Sequence, residues 1–293
     1  MNRRKETLQG YLFLAPALIV FVLLVAFPVV FSAILSLCKW DFTSGFGGIE
    51  FVGLKNFISL ADDKTFRFAF VNTFIYALAV VPVSILLSLF LAYLLNEKVF
   101  FKKTLRTVFF IPYIASTVAV AALFRYLFRV DGPINMVLIN RFGFAEPVNW
   151  LSDNTLNKIP IILLLIWTSI GYEMLVYIGA LQNVSKDLYE SAEIDGAGKM
   201  VRLFRITVPL VSPITFYLLI VRMIAIFKVF SYISIITYRN IAQGNTSIVL
   251  KVYEDAFGQY QFGYASAEAW ILFFIIFAFT FFQMKGQKAW VHY

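Results

Sequence analysis

Six apolar stretches, each long enough to cross a lipid bilayer as a helix, constrain this chain more than any other feature. They lie at about 10–37, 68–95, 107–127, 159–181, 206–230 and 265–284. A spanning helix needs roughly 20 residues, because hydrocarbon offers its backbone no partner outside the helix itself. None of the six alternates with period two, as a strand of a membrane barrel must. Composition agrees: 60% of the residues are hydrophobic and 14% charged, against roughly 45–50% apolar in soluble domains. The sequence therefore predicts an all-α integral membrane protein with six transmembrane helices. The first stretch follows Arg3, Arg4 and Lys5, is too long for a cleaved leader and lacks a small-residue cleavage site, so it reads as a retained helix.

Lysine and arginine set the expected orientation. The N-terminus, 96–106, 182–205 and the C-terminus together hold 13 basic residues in about 55 positions, more than the three alternate loops hold in about 100. The basic side is expected to be cytoplasmic, with both termini inside. The net charge of +8 is then accounted for by topology and lipid headgroups, without nucleic acid. Cys38 is alone and His292 is the only histidine, which argues against a disulfide framework, a metal site or a histidine catalyst.

The outer loops, about 38–67, 128–158 and 231–264, are longer than 96–106 and carry the turn-forming clusters DFTSGFGG, VDGP and AQGN. They read as surface loops, with or without an external partner. No repeat and no inverted pair of broken helices is visible, which weakens an ion-coupled secondary transporter or channel as the competing class. A membrane enzyme lacks paired carboxylates, a Ser/His set or metal ligands at working spacing.

One segment, LYESAEIDGAGKMVRLFRITVP (188–209), is polar and helix-capable between apolar runs. Ser185 suits an N-cap, Asp187 the first turn and Gly196 a left-handed stop, predicting a short helix over 186–195. At 100° per residue, Leu188, Ala192 and Asp195 share one side, and Asp187, Glu190 and Glu193 the other. A second short helix over 199–206 leads to Pro209, placed for the first turn of the next span. The product is either a docking knob or an amphipathic loop at the headgroups. GAGKM is not a phosphate-binding loop, since Glu193 and Met200 stand where that pattern needs Gly and Ser or Thr.

The same segment resembles the EAA loop of binding-protein-dependent ABC importer permeases: Glu190-Ser191-Ala192, then Gly196, then Ile206-Thr207-Val208-Pro209, with the spacing intact. Ser191 and Val208 depart from the pattern by small or volume-conserving changes. The likeness covers most of the chain and points to the maltose and multiple-sugar branch. YLFLAPALI with FPVV, GLKNF, NTFIYALAVVPVSILLSLFLAYLLN, FFIPYIAS, GPINMVL, IWTSIGYEMLVYIGALQNVSKDLYESAEIDGA and YEDAFGQYQFGYASAEA follow in that branch's order. Between Ile236 and Ser247 the family often has T-x-G-G-P, whereas this chain has TYRNIAQGN.

The resemblance implies a type I ABC importer permease with a short cytoplasmic coupling helix pair between spans four and five. Residues 1–67 would form the tail, first helix and outer loop, and 68–293 the core permease domain, with its coupling loop at 182–209. The chain would hold no cofactor; ATP and Mg would bind two partner ATPase subunits. Further expected partners are a second permease, an extracytoplasmic substrate-binding protein, a sugar, oligosaccharide in particular, and lipid, in the inner or plasma membrane of a bacterium or archaeon. In that scheme Glu190 pairs with a basic residue of the ATPase, Ala192 permits close approach and Gly196 supplies the turn. Ser191, Asp195, Ala197, Ile206 and Pro209 complete the coupling set.

Charged groups inside spans are expensive and face a cavity or a partner. Trp167, Thr168, Tyr172, Glu173 and Arg222 are the candidates for a substrate pathway, with aromatic faces for a sugar ring and charges for its hydroxyls; the resemblance favours Thr168 and Tyr172. Glu173 and Arg222 could equally tie helices together or meet the second permease, as could Lys228. Counted along straight helices they differ by about 10 Å in depth, so a salt bridge between them needs tilt or long reach.

Overall fold

The structure, a computed structural model, describes residues 3–96, 100–237 and 244–291. His292 and most of the divergent stretch TYRNIAQGN, residues 238–243, lie outside them. Two units are formed: Met1–Asp63 with Val252–Ile271, and Lys64–Lys251 with Leu272–Tyr293.

In the first unit α1 (Arg3–Phe21) runs through a π turn, Val22–Ala26, into α2 (Phe27–Ser36). Pro28 follows the π turn and has no N–H for the preceding carbonyls, and a widened turn absorbs that loss without ending the helix. A small ribbon follows, β1 (Cys38–Lys39) pairing antiparallel with β2 (Glu50–Phe51), and then α3 (Lys55–Asp62). Trp40 fastens the DFTSGFGG loop: its indole N–H donates to the Gly45 carbonyl at 2.9 Å, and its ring lies 5.6 Å from Phe46 and 5.5 Å from Phe262. Gly263 is required there, since a Cβ would sit 2.0 Å from the Cys38 carbonyl oxygen.

The second unit starts with α4 (Lys64–Asn96), α5 (Lys102–Ile114), α6 (Thr117–Leu127), α7 (Pro133–Phe142) and α8 (Lys158–Gln182). Ala69, Thr73 and Ala77, then Ser84, Ser88 and Ala92, form a buried stripe of small side chains on α4. Four-residue spacing puts them on one helix face, where backbones approach closely without hydrophobic driving force. Asn135 ties the turn before α7 to the loop after it, donating to the carbonyls of Arg129, Val130 and Val148 and accepting from Val148 N–H and the Trp150 indole. Asp153 caps the turn before α8, and the N–H groups of Leu156 and Thr155 hold its carboxyl below the usual range.

After α8 come α9 (Lys186–Ile194), α10 (Lys199–Arg202), α11 (Val208–Leu210), α12 (Ser212–Phe227), α13 (Ser231–Thr237), α14 (Ile248–Tyr253) and α15 (Phe262–Gly286). Among the described residues, four continuous helices are long and apolar enough to span: Gly10–Ser36, Lys64–Asn96, Lys158–Gln182 and Phe262–Gly286. The third and fifth predicted runs are instead bent pairs, by 96° between α5 and α6 and by 69° between α11 and α12. Pro112 sits three residues before the first bend, where Ala115 is extended. At the second, Pro213 cannot donate to the Pro209 carbonyl, and the Ser212 hydroxyl does so at 2.6 Å. Pro209 therefore precedes the bend, and it is Pro213 that opens the spanning helix, a correction to the sequence expectation.

The segment 231–264 is also more than a surface loop. Asn245, Thr246 and Ser247 are buried, and α4 side chains satisfy their backbone. Asn72 donates to the carbonyls of Gly244 and Thr246, Tyr76 to that of Asn245 at 2.6 Å, and Thr73 accepts from Ile248 N–H. Non-helical backbone at membrane depth persists only with such partners.

Gly171 of α8 faces α5 so closely that a Cβ would lie 2.2 Å from the Phe109 carbonyl oxygen. Gly171→Ala is expected to destabilise by about 1–3 kcal/mol, whereas Gly179→Ala, with open space around it, should be neutral or gain up to about 1 kcal/mol. Thermal unfolding of both variants in detergent checks the pair.

Candidate functional site

Two loci in the second unit carry the chemistry. The first is an ion pair within the helices. Glu173 Oε1 accepts from Arg222 Nε at 2.6 Å and from Ser84 Oγ at 3.3 Å, while Oε2 accepts from Ser88 Oγ at 3.0 Å. The Glu173 side chain is 1% exposed and that of Arg222 17%, so α4, α8 and α12 meet at one carboxylate. The depth gap expected from sequence is closed by the bend at Val211. Arg222 lies ten residues into α12 and Glu173 nine from the end of α8, about 15 and 14 Å at 1.5 Å per residue.

Beside the pair, Tyr172 stacks on Tyr113 at 5.0 Å, with Tyr217 close to its hydroxyl. Tyr113 and Tyr217 are exposed, so three phenol rings from α5, α8 and α12 form a face next to the guanidinium. The other candidates stand apart. Trp167 packs on Phe124 at 5.6 Å, and the buried Thr168 hydroxyl is committed to the Leu164 carbonyl of its own helix. Ser84, Ser88, Tyr113 and Tyr217 were not singled out by sequence. The four-residue spacing of the two serines in an apolar helix was the available signal.

The second locus is the segment 185–210. Ser185 accepts from Asp187 N–H at 3.2 Å as N-cap. At the other end Gly196 has φ +79°, Ala197 N–H reaches the Ala192 carbonyl and Gly196 N–H that of Glu193. These are the two hydrogen bonds of a glycine-stopped helix. Ala192 and Tyr189 face inward, while Leu188, Glu190, Ser191 and Asp195 are exposed, so Leu188 and Asp195 do not share Ala192's environment as the helical wheel suggested. The second helix is shorter than predicted: α10 ends at Arg202 and Leu203–Thr207, which includes Ile206, is a π turn. Arg202 pairs with Glu193 at 2.9 Å, Tyr189 with Thr207 at 2.9 Å, and Tyr93 of α4 donates to the Lys199 carbonyl at 3.1 Å. Ile194 is 86% exposed, and Met200, Val201 and Phe204 are exposed too, an apolar crown on a polar knob.

Straight and bent apolar helices of the second unit, tied by the buried Glu173–Arg222 pair and bearing a capped knob between two spans, have the architecture of a membrane permease. The chain belongs to the family described as binding-protein-dependent transport system inner membrane component, whose model matches residues 84–285. It is thus a permease component and no enzyme. It is 34% identical to the probable ABC transporter permease protein YesP of Bacillus subtilis over 99% of this chain and 94% of that one. It is 30% identical to the lactose transport system permease protein LacF of Rhizobium radiobacter, over 98% and 96%. Its fold matches a chain of a bacterial ABC transporter involved in import of the acidic polysaccharide alginate, with TM-score 0.83, 23% identity and coverage of 97% and 96%. The fold is that of a type I ABC importer permease.

Glu173→Gln leaves the Arg222 guanidinium facing a neutral partner in the interior. The expected cost is about 3–5 kcal/mol, read as a fall in the unfolding midpoint. The double change Glu173→Leu/Arg222→Leu should cost less than either single change, because no charge is then stranded.

Proposed function

We propose that this chain forms half of the translocation pathway of an ATP-driven importer of sugar, oligosaccharide in particular. The observation that carries the reading is the coupling knob: a rigidly capped helix presenting Glu190 and Ile194 to whatever docks there, braced to α4 through Tyr93. A separate ATPase pair, holding ATP and Mg, fits that knob; the permease itself supplies no nucleotide site. Glu190 and Ser191 line the docking face, Ala192 allows close packing, Asp195, Gly196 and Ala197 make the turn, and Ile206 and Pro209 join the loop to its span. A second permease subunit and an extracytoplasmic binding protein complete the assembly. The basic loops support cytoplasmic termini in a bacterial or archaeal membrane, with 68–293 as the core domain.

Relatives named for lactose and for arabinooligosaccharides, the latter 31% identical over 94% of this chain, support a carbohydrate substrate. The face built by Tyr113, Tyr172 and Tyr217 is suited to stacking on sugar rings, with Trp167 and Thr168 further along the same helix. Because Glu173 neutralises Arg222, the pair offers hydrogen-bond donors without net charge, which favours neutral sugars over uronates.

Affinity purification of the tagged chain from its native membrane should bring down an ATPase and a second permease. Gly196→Pro should lose the ATPase while keeping the permease; a chain recovered alone would overturn the assignment. In vesicles of the assembled transporter, Tyr172→Ala should lower uptake of a neutral oligosaccharide at least tenfold, with the protein still assembled.

A further inference from the structure

We propose that the C-terminal end of α4 and the coupling loop together enclose a binding site for a phosphate group. A cleft of about 190 Å3 lies there, lined by Tyr93 and Asn96 of α4, Tyr189 of α9 and Arg202 of α10. The Arg202 side chain is 15% exposed, and its Nη1 donates to Glu193. Its Nε is buried and has no acceptor among the described residues. A charged donor buried without an acceptor is costly and needs an explanation. An anion in the cleft supplies one.

The surroundings specify the kind of anion. Lys102 Nζ donates to the Asn96 carbonyl and Arg106 Nη2 to that of Leu95, so two more cations collect at the same helix end. Among the described residues, the acid paired with Arg202 is Glu193, which is 72% exposed. The Tyr93 hydroxyl proton is directed to Lys199 and the Thr207 hydroxyl to the Arg202 carbonyl. Of the four described lining residues, the donors left for a ligand are therefore the Arg202 guanidinium and the Asn96 amide. A guanidinium fork matches the oxygens of a phosphate, and basic clefts at helix ends beside a bilayer take up phosphorylated headgroups. The volume has room for a phosphate with the first carbons of its ester. Two sources share this chemistry: a phospholipid headgroup and a soluble phosphate ester.

Bound there, the phosphate bridges α4 to α9 and α10 and stiffens the knob against the rest of the core. This consequence rests on the coupling role proposed above; the site itself does not.

The test is thermal unfolding of the purified full chain, titrated with sodium phosphate against sodium chloride at matched ionic strength. In parallel, phosphatidylglycerol is added to the micelles against diacylglycerol, which lacks the phosphate. At least one phosphate probe should raise the melting temperature saturably. Arg202→Gln should raise the half-saturating concentration at least tenfold, and Lys199→Gln, an exposed charge, less than threefold. A response to phosphatidylglycerol alone identifies the lipid source, and a response to sodium phosphate the soluble one. Should Arg202→Gln fail to fold, Asn96→Asp, which places an anion in the cleft, is expected to abolish the response. No shift with either probe, or equal shifts in wild type and variants, overturns the site and leaves water as its occupant. Copurification of the ATPase separates the two readings, since it stands or falls without the phosphate.

Discussion

The carboxylate of Glu173 is the point on which the helical core depends. Taking a carboxylate out of water is tolerable only when its lone pairs are met, and here a guanidinium and two hydroxyls from two other helices meet them. The requirement runs outward from there. Ser84 and Ser88 must be on the stripe of α4 that touches α8, Gly171 must let α5 close on the same helix, and α12 must be bent at Val211 for Arg222 to arrive level with its partner. Each of these is a sequence choice that would be unremarkable alone.

Much of this architecture is legible from the sequence. The apolar runs mark the spans because hydrocarbon forces every backbone group into a helix, and Ser185 and Gly196 mark a helix whose ends then appear where those residues stand. The Glu173–Arg222 contact was harder to read. Residue counting assumes a straight rise of 1.5 Å per residue, and a chain with prolines at 209 and 213 does not rise straight. The interior position of Gly244–Ser247 was hidden for a related reason: polar turn residues suggest a surface, but Asn72, Thr73 and Tyr76 on a distant helix provide the partners that water would. Tyr113 and Tyr217 give no signal in the sequence, because single aromatics in apolar helices carry no periodicity; only the fold brings them to Tyr172.

The coupling loop is held by interactions of a different kind from those of the core. Its caps are local backbone bonds, set by Ser185 and Gly196, the Tyr189–Thr207 and Arg202–Glu193 contacts brace it from within, and the Tyr93 hydroxyl ties it to α4. The loop can thus keep its shape while its attachment remains adjustable, a combination that suits a part meant to be gripped from outside. The exposed Ile194 and Phe204 sit on that shape-keeping element.

The elbow at Val211 has a mechanical consequence. Lys199–Leu210 and Ser212–Phe227 are two arms of about 18 and 24 Å at 1.5 Å per residue, set 69° apart and locked where the Ser212 hydroxyl bridges to the Pro209 carbonyl. Two rigid arms on one fulcrum act as a bell crank: they turn the direction of a push and scale it by the ratio of their lengths. A displacement of 1 Å at the tip of the short arm becomes roughly 1.3 Å at the far end of the long one, its direction turned by the bend between them.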